Sequence, residues 1–150
     1  FYSHSGIDPM GIARILVIAA KERQASQGGS TLTMQLAKSL VNGNERSLER
    51  KVNDIATAWE IEKVKSKDEI LELYLKNAYF GWGAYGLASA AKIYFNKPIE
   101  RLTVSDAAIL ARCVRRPSYD NPFRNLERSL ANRDVVLAVM RDENMLTPAE

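Results

Sequence analysis

A chain of 150 residues, 46% hydrophobic and 26% charged, is long enough for one domain with a real core and has the balance of an ordinary globular protein. Its net charge of +3, with a pI near 9.0, favours an anionic membrane or a phosphorylated substrate but is no signature of nucleic acid. The single cysteine, Cys113, excludes an internal disulfide, and the single histidine, His4, argues against a His-rich metal site or a Ser-His triad.

The longest apolar run, Ile15 to Ala20, falls far short of the roughly 20 residues that span a bilayer. The chain starts at Phe1 rather than Met. It ends on Leu146-Thr147-Pro148-Ala149-Glu150, which reads as a helix start, so truncation at both ends is expected. Asp8 as N-cap and Pro9 at the first helical position predict a helix to about Arg23, with Ile12, Ile15, Leu16 and Ala19 on one face. Gln24 to Gly29 form a polar loop.

Gly28 and Gly29 free the backbone, Ser30 or Thr31 caps the next helix, and Asn42-Gly43-Asn44 ends it. On that helix Thr31, Gln35, Lys38 and Asn42 form one polar stripe, while Leu32, Met34, Leu36, Ala37, Leu40 and Val41 form a wide apolar arc. Oriented N–H groups beside a stripe that contains a cation suit an anion such as a phosphate. The same residues also read as a capped amphipathic helix after a flexible loop.

A third helix is expected from about Ser47 to Val64, with Leu48, Val52, Ile55 and Trp59 recurring at helical spacing. Arg50, Lys51 and Asp54 fall on or near an exposed face, where Arg50 and Asp54 read as a solvated pair. Ser66 to Glu69 is a capping box that opens a helix carrying Ile70, Leu71, Tyr74, Leu75 and Ala78. The glycines of Gly81 to Gly86 break it, and a helix from Leu87 to Phe95 runs to a stop at Asn96-Lys97-Pro98. No Gly-Lys-Ser/Thr follows those glycines, so a phosphate loop is a weak reading. The aromatics of this run are assigned to the core, Tyr79 excepted.

Thr103 with Asp106 caps a helix from Val104 to about Arg115, its apolar face being Ala107, Leu110, Ala111 and Val114. A loop through Pro117 and Pro122 leads to a last helix from Leu126 to Met145. No stretch alternates with period two, so no sheet is expected and the fold class is all-α.

The ungapped stretch Gly28-Gly29-Ser30-Thr31-Leu32-Thr33-Met34-Gln35-Leu36-Ala37-Lys38 resembles the second motif of the peptidoglycan glycosyltransferases, the transglycosylase domains of bifunctional penicillin-binding proteins and monofunctional transglycosylases. Many members carry Gln at Met34. Phe1, His4 and Gly6 fit the tail of the first motif, Glu-Asp-x-x-Phe-x-x-His-x-Gly, in which His4 gives structural support. Arg50-Lys51-Val52-Asn53-Asp54 resembles the third motif, Arg-Lys-x-x-Glu, with Asp54 at the glutamate position. From Lys67 to Lys97, residues such as Tyr74, Leu75, Tyr79, Phe80, Gly81 and Gly86 match the fourth, where Lys76 replaces the usual Asn. The run from Leu102 to Ala111 and the Asn132-Arg133 segment are similar to the fifth motif and its sequel.

The resemblance implies an all-α, lysozyme-like glycosyltransferase domain over residues 1–150 that lacks its N-terminal edge, with any transpeptidase domain outside this chain. It implies polymerisation of lipid II into glycan strands, with inversion and release of undecaprenyl pyrophosphate. Lys38, Arg46, Arg50 and Lys51 would meet or support the pyrophosphate. Ser30, Thr31, Gln35 and Tyr79 would bind substrate. Asp54 would hold the donor pyrophosphate or a divalent metal, Mg or Mn, upon it. The family's first glutamate, its general base, would precede Phe1, so these 150 residues are expected to bind substrate without polymerising it.

The implied partners are lipid II, the growing glycan strand, the membrane surface and cell-wall synthesis proteins, with no nucleic acid. The implied location is the cell envelope, at the outer face of the bacterial cytoplasmic membrane, anchored by a segment outside this chain. Two rival readings stand beside it. A lytic transglycosylase or muramidase would need an acid in the site rather than a row of cations. A non-catalytic glycan- or nucleic-acid-binding helical module gains from Asp54 and Lys76, but no helix carries convincing base-reading side chains.

Overall fold

The computed structural model describes residues 1–8, 30–40 and 48–147, without the side chains of 48–50. The expected helix from Pro9, the 24–29 loop, the Asn42-Gly43-Asn44 stop and Arg46 lie outside the described residues. The chain divides into two units, Phe1–Tyr74 and Leu75–Glu150.

In the first unit, α1 (Leu32–Leu40) and α2 (Leu48–Val64) pack on each other, and α3 (Lys67–Asn77) begins. Thr31 rather than Ser30 caps α1: its Oγ1 accepts from Met34 N at 3.2 Å and its carbonyl from Gln35 N at 3.0 Å. Met34, Ala37 and Ala58 are buried together, with Ile55 and Ile61 packed against them. Leu40 is exposed, so the apolar arc of α1 is narrower than its sequence suggested.

The buried face of α2 differs from the expected one. Val52 is 63% exposed and Trp59 56%, whereas Asp54, expected at the surface, is only 6% exposed. Ala58 is the residue turned to α1, with Ile55 on one side and Asp54 and Ile61 on the other, and this rotates Val52 and Trp59 outward. Small side chains at Ala37 and Ala58 let the two helices approach closely. The start of α3 is the expected capping box: Ser66 N donates to Glu69 Oε2 at 2.9 Å, and Glu69 N to Ser66 Oγ at 3.3 Å.

The second unit contains a hairpin where none was expected. Strands β1 (Tyr79–Gly81) and β2 (Ala84–Tyr85) pair antiparallel, Tyr79 opposite Tyr85 and Gly81 opposite Ala84. Strands of three and two residues are too short to display an alternating pattern. The turn residues Trp82 and Gly83 both have positive φ, 52° and 75°, as a primed two-residue hairpin turn requires. Gly81 lies at φ 92°, and a Cβ there would run into the Pro117 carbonyl, so only glycine lets the 117–123 loop lie against the hairpin. Trp82 and Tyr85, assigned to the core by sequence, are exposed.

Helix α4 (Leu87–Phe95) has the expected bounds and ends at Asn96, which is left-handed at φ 52°. After a 3-10 turn (Ile99–Arg101), α5 (Val104–Arg115) begins with both halves of the Thr103/Asp106 capping box. Its buried residues are Ala108, Ile109, Leu110 and Cys113, while Ala107 and Ala111 are exposed, contrary to the sequence reading. α6 (Leu126–Asp142) ends short of Met145, because Asn144 turns left-handed and Met145 N bonds back to Met140 O. In this unit α5 packs on β1, α4 and α6. The two strands are the one departure from an otherwise helical architecture among the described residues.

Candidate active site

Of the polar residues expected at the site, Ser30, Thr31, Gln35 and Lys51 meet around the start of α1, whereas Lys38 stands in its last turn. Lys51 on α2 donates from Nζ to Ser30 Oγ at 2.7 Å. This bond brings a cation of the Arg50-Lys51 pair to the residue that precedes the cap of α1. Gln35 is held from two sides: Tyr74 Oη donates to its Oε1 at 3.3 Å, and its Nε2 reaches the Ser30 carbonyl at 3.5 Å. Thr31 is consumed by structure. It is buried, and its hydroxyl donates to Gly6 O at 2.6 Å while accepting from the helix.

Lys38 is exposed on α1 and has no hydrogen-bond or ion-pair partner among the described residues. Asp54 stands one turn beyond Lys51 on α2, and it too has no such partner among the described residues. A carboxylate with no protein partner among the described residues is open to a cationic ligand. Arg46 and the Arg50 side chain lie outside the described residues. Tyr79 belongs to the second unit, where it is 39% exposed and its ring packs on Tyr85 at 4.7 Å between centroids.

Sequence reasoning missed a buried network beside these residues. Thr33 Oγ1 donates to Glu62 Oε1 at 2.6 Å, and Lys67 Nζ meets the same oxygen at 2.7 Å. Glu62 also presses on Gly6, where a Cβ would come within 3.0 Å of Glu62 Cγ. Thr33 and Lys67 thus converge on one carboxylate, and Gly6 lies against the methylene of the same side chain. The available signal was Thr33 itself, a polar residue inside the apolar arc of α1. Lys67 lies 4.7 Å from the centre of the Phe1 ring. Burial first, and then the charge of Lys67, holds the His4 imidazole below its ordinary pKa.

Among the described residues no group of three or more His, Cys, Asp or Glu gathers to hold a metal. What fits a divalent cation is the Asp54 carboxylate alone, with phosphate oxygens of a substrate and water completing the shell, as Mg2+ prefers. Cys113 is no nucleophile: burial pushes its thiol up to about 12. Also among the described residues, no helix is long and apolar enough to cross a membrane.

Comparison with known proteins shows the family. A family model described as "Transglycosylase" matches residues 1–141. The chain is 44% identical to penicillin-binding protein 1A of Escherichia coli over 147 residues, which are 98% of this chain and 17% of that protein. It is 43% identical to penicillin-binding protein 1A of Aquifex aeolicus over 150 residues, 100% of this chain and 21% of that one. The crystal structure of penicillin-binding protein 1A from Haemophilus influenzae superposes with a TM-score of 0.54 at 33% identity, covering 79% of this chain and 14% of that one. The chain therefore spans about a fifth of the length of the curated relatives it matches.

Proposed function

The chain belongs to the transglycosylase family, with its helical, lysozyme-like fold, and from that premise we propose that it polymerises lipid-linked disaccharide-peptide into peptidoglycan strands. A sugar hydroxyl of one lipid II molecule or chain attacks the anomeric carbon of another. The new glycosidic bond forms as the bond to undecaprenyl pyrophosphate breaks, with inversion. Such a reaction needs cations where negative charge grows on the departing pyrophosphate.

The observation that carries the reading is the Lys51–Ser30 hydrogen bond, which gathers polar residues of two motifs at one helix start. Lys38 and Lys51 supply the charge, with Arg46 and Arg50 assigned beside them by motif. Gln35 and Ser30 line the approach. In this reading Asp54 holds the donor pyrophosphate through a bound Mg2+ or Mn2+, which would supply Lewis-acid stabilisation of the leaving group. Tyr79 is assigned to substrate by its place in the fourth motif. The reaction would run in the cell envelope, at the outer face of the cytoplasmic membrane, beside other cell-wall synthesis proteins.

Glycan-chain formation from labelled lipid II by the full-length protein tests the reading. Lys38→Ala should lower turnover by about a hundred- to a thousand-fold, the usual loss for one transition-state donor, with helix content unchanged. Near-normal turnover would leave Lys38 a surface residue and remove the main support for pyrophosphate binding on α1.

A further inference from the structure

We propose that the second unit binds an internal water between α5, the 117–123 loop and α6, held by Arg112, Asp120 and Ser129. Asp120 and Ser129 are each 1% exposed. Asp120 Oδ2, Ser129 Oγ and Arg112 Nε are buried atoms with no hydrogen-bond partner among the described residues. Buried polar atoms nearly always have a partner, and leaving a charged group without one is costly.

The fold brings the three side chains together. Arg112 Nη2 donates to Asn132 Oδ1 at 2.9 Å. Ser129 lies three residues before Asn132 in α6, on the face turned to that guanidinium. Asp120 is drawn to α5 from the loop, where the thiol of Cys113, next to Arg112, donates to its carbonyl at 3.7 Å. The Asp120 carboxylate stops short of the arginine. Its Oδ2 is 3.6 Å from Nη2, where opposite charges attract but no hydrogen bond forms. The next residue, Asn121, is buried as well; it donates to Pro117 O at 2.7 Å and accepts from Arg124 N at 3.0 Å. The backbone that carries Asp120 is thereby held in place.

The chemistry of the three atoms selects the ligand. Arg112 Nε only donates, an ionised Asp120 only accepts, and the Ser129 hydroxyl does both. A metal cation here would lie against a guanidinium, and an anion against a carboxylate. Water meets neither conflict. It accepts from Arg112 Nε, donates to Asp120 Oδ2 and takes either role towards Ser129 Oγ, and about three bonds are usual for an internal water. So bound, it completes the Arg112–Asp120 pair and joins three segments in one polar core. The site uses no residue of the first unit, so it does not rest on the transfer reaction.

A high-resolution crystal structure of the whole chain tests this. It should show one ordered solvent peak within about 2.7–3.2 Å of all three atoms. Crystals soaked in bromide, and others soaked in rubidium, should give no anomalous signal there. Ser129→Ala leaves room for the water and Ser129→Val takes that room, so the peak should remain in the first variant and vanish in the second. A direct Arg112–Asp120 hydrogen bond with no solvent between them would overturn the proposal. So would a Ser129 hydroxyl bonded to the Asn125 carbonyl instead, an anomalous ion at the site, or a peak that persists in Ser129→Val. If Ser129→Val does not fold, the unsubstituted chain and its two soaks still decide.

Discussion

Lys51 Nζ and Ser30 Oγ lie 2.7 Å apart, joining α2 to the threshold of α1 across 21 residues of sequence. The contact is exposed, so its loss should change stability by no more than about 1 kcal/mol. Its weight falls on function, because it aims a cation at the helix start. Lys51→Ala should cut polymerisation by roughly a hundred-fold or more, with thermal unfolding unchanged. Ser30→Ala keeps the charge and loses the anchor, so its smaller loss should show mainly in KM. Equal effects of the two variants would mean that the charge has no part of its own.

Asp54 separates activity from stability. Its carboxylate has no partner among the described residues, so Asp54→Asn should leave stability unchanged or raise it by about 1 kcal/mol while polymerisation falls sharply. Asp54→Glu should preserve or raise activity by restoring the family's side-chain length. Denaturant melts and turnover on lipid II check both. Parallel loss of fold and activity in Asp54→Asn would make the carboxylate structural.

Glu62 should behave in the opposite way. Its side chain is nearly buried and binds Thr33 and Lys67 together. Glu62→Ala strands Lys67 in a mostly covered site and should cost about 3 kcal/mol or more in urea unfolding. Thr33→Val, which removes one donor and keeps the shape, should cost about 1–2 kcal/mol. Because the residues share one network, the double variant should cost less than the sum.

Local signals were legible in the sequence and long-range ones were not. The capping boxes at Ser66/Glu69 and Thr103/Asp106 each join residues three apart, and both formed as read. The bounds of α4 follow from Gly86 and Asn96 in the same way. On α2, periodicity identified residues that share a face, but not which face α1 would cover. Packing chose Ala58 and turned Trp59 out. At the site, the Ser30 and Lys51 motifs were readable but their hydrogen bond was not. Thr33 and Glu62 lie 29 residues apart, and no local pattern joins them. The Trp82-Gly83 turn lacks the Asn-Gly or Asp-Gly pair that announces a hairpin.

Asp106 should make stability depend on acid pH. Burial alone raises its pKa, but hydrogen bonds from Lys97 Nζ at 2.6 Å and Thr103 N at 3.0 Å, with the charge of Lys97, outweigh that and hold it below the ordinary value. The unfolded chain then binds the proton more readily. The stabilisation is fully present above the ordinary aspartate value of about 3.9 and is lost as pH falls through the lower folded value. Asp106→Asn retains an acceptor for Thr103 N and should flatten that dependence in urea titrations between about pH 2 and 5. An unchanged slope would assign the acid sensitivity to other carboxylates.

Gly81 and Gly83 form a matched pair that tests how the 117–123 loop rests on the hairpin. Both have positive φ, 92° and 75°, so alanine meets conformational strain of about 1 kcal/mol or more at either position. Their surroundings differ. A Cβ on Gly83 has no heavy atom within 4 Å, whereas one on Gly81 meets the Pro117 carbonyl, a backbone group that cannot rotate aside. Gly83→Ala should therefore cost only the strain. Gly81→Ala should cost about 3 kcal/mol or more, or push the 117–123 loop off the hairpin. Displacement would break the Trp82–Phe123 contact, so Trp82 emission in a Trp59→Phe background should change with Gly81→Ala and not with Gly83→Ala. Equal melting temperatures and equal spectra for the two variants would show that the loop does not rest on Gly81 in solution.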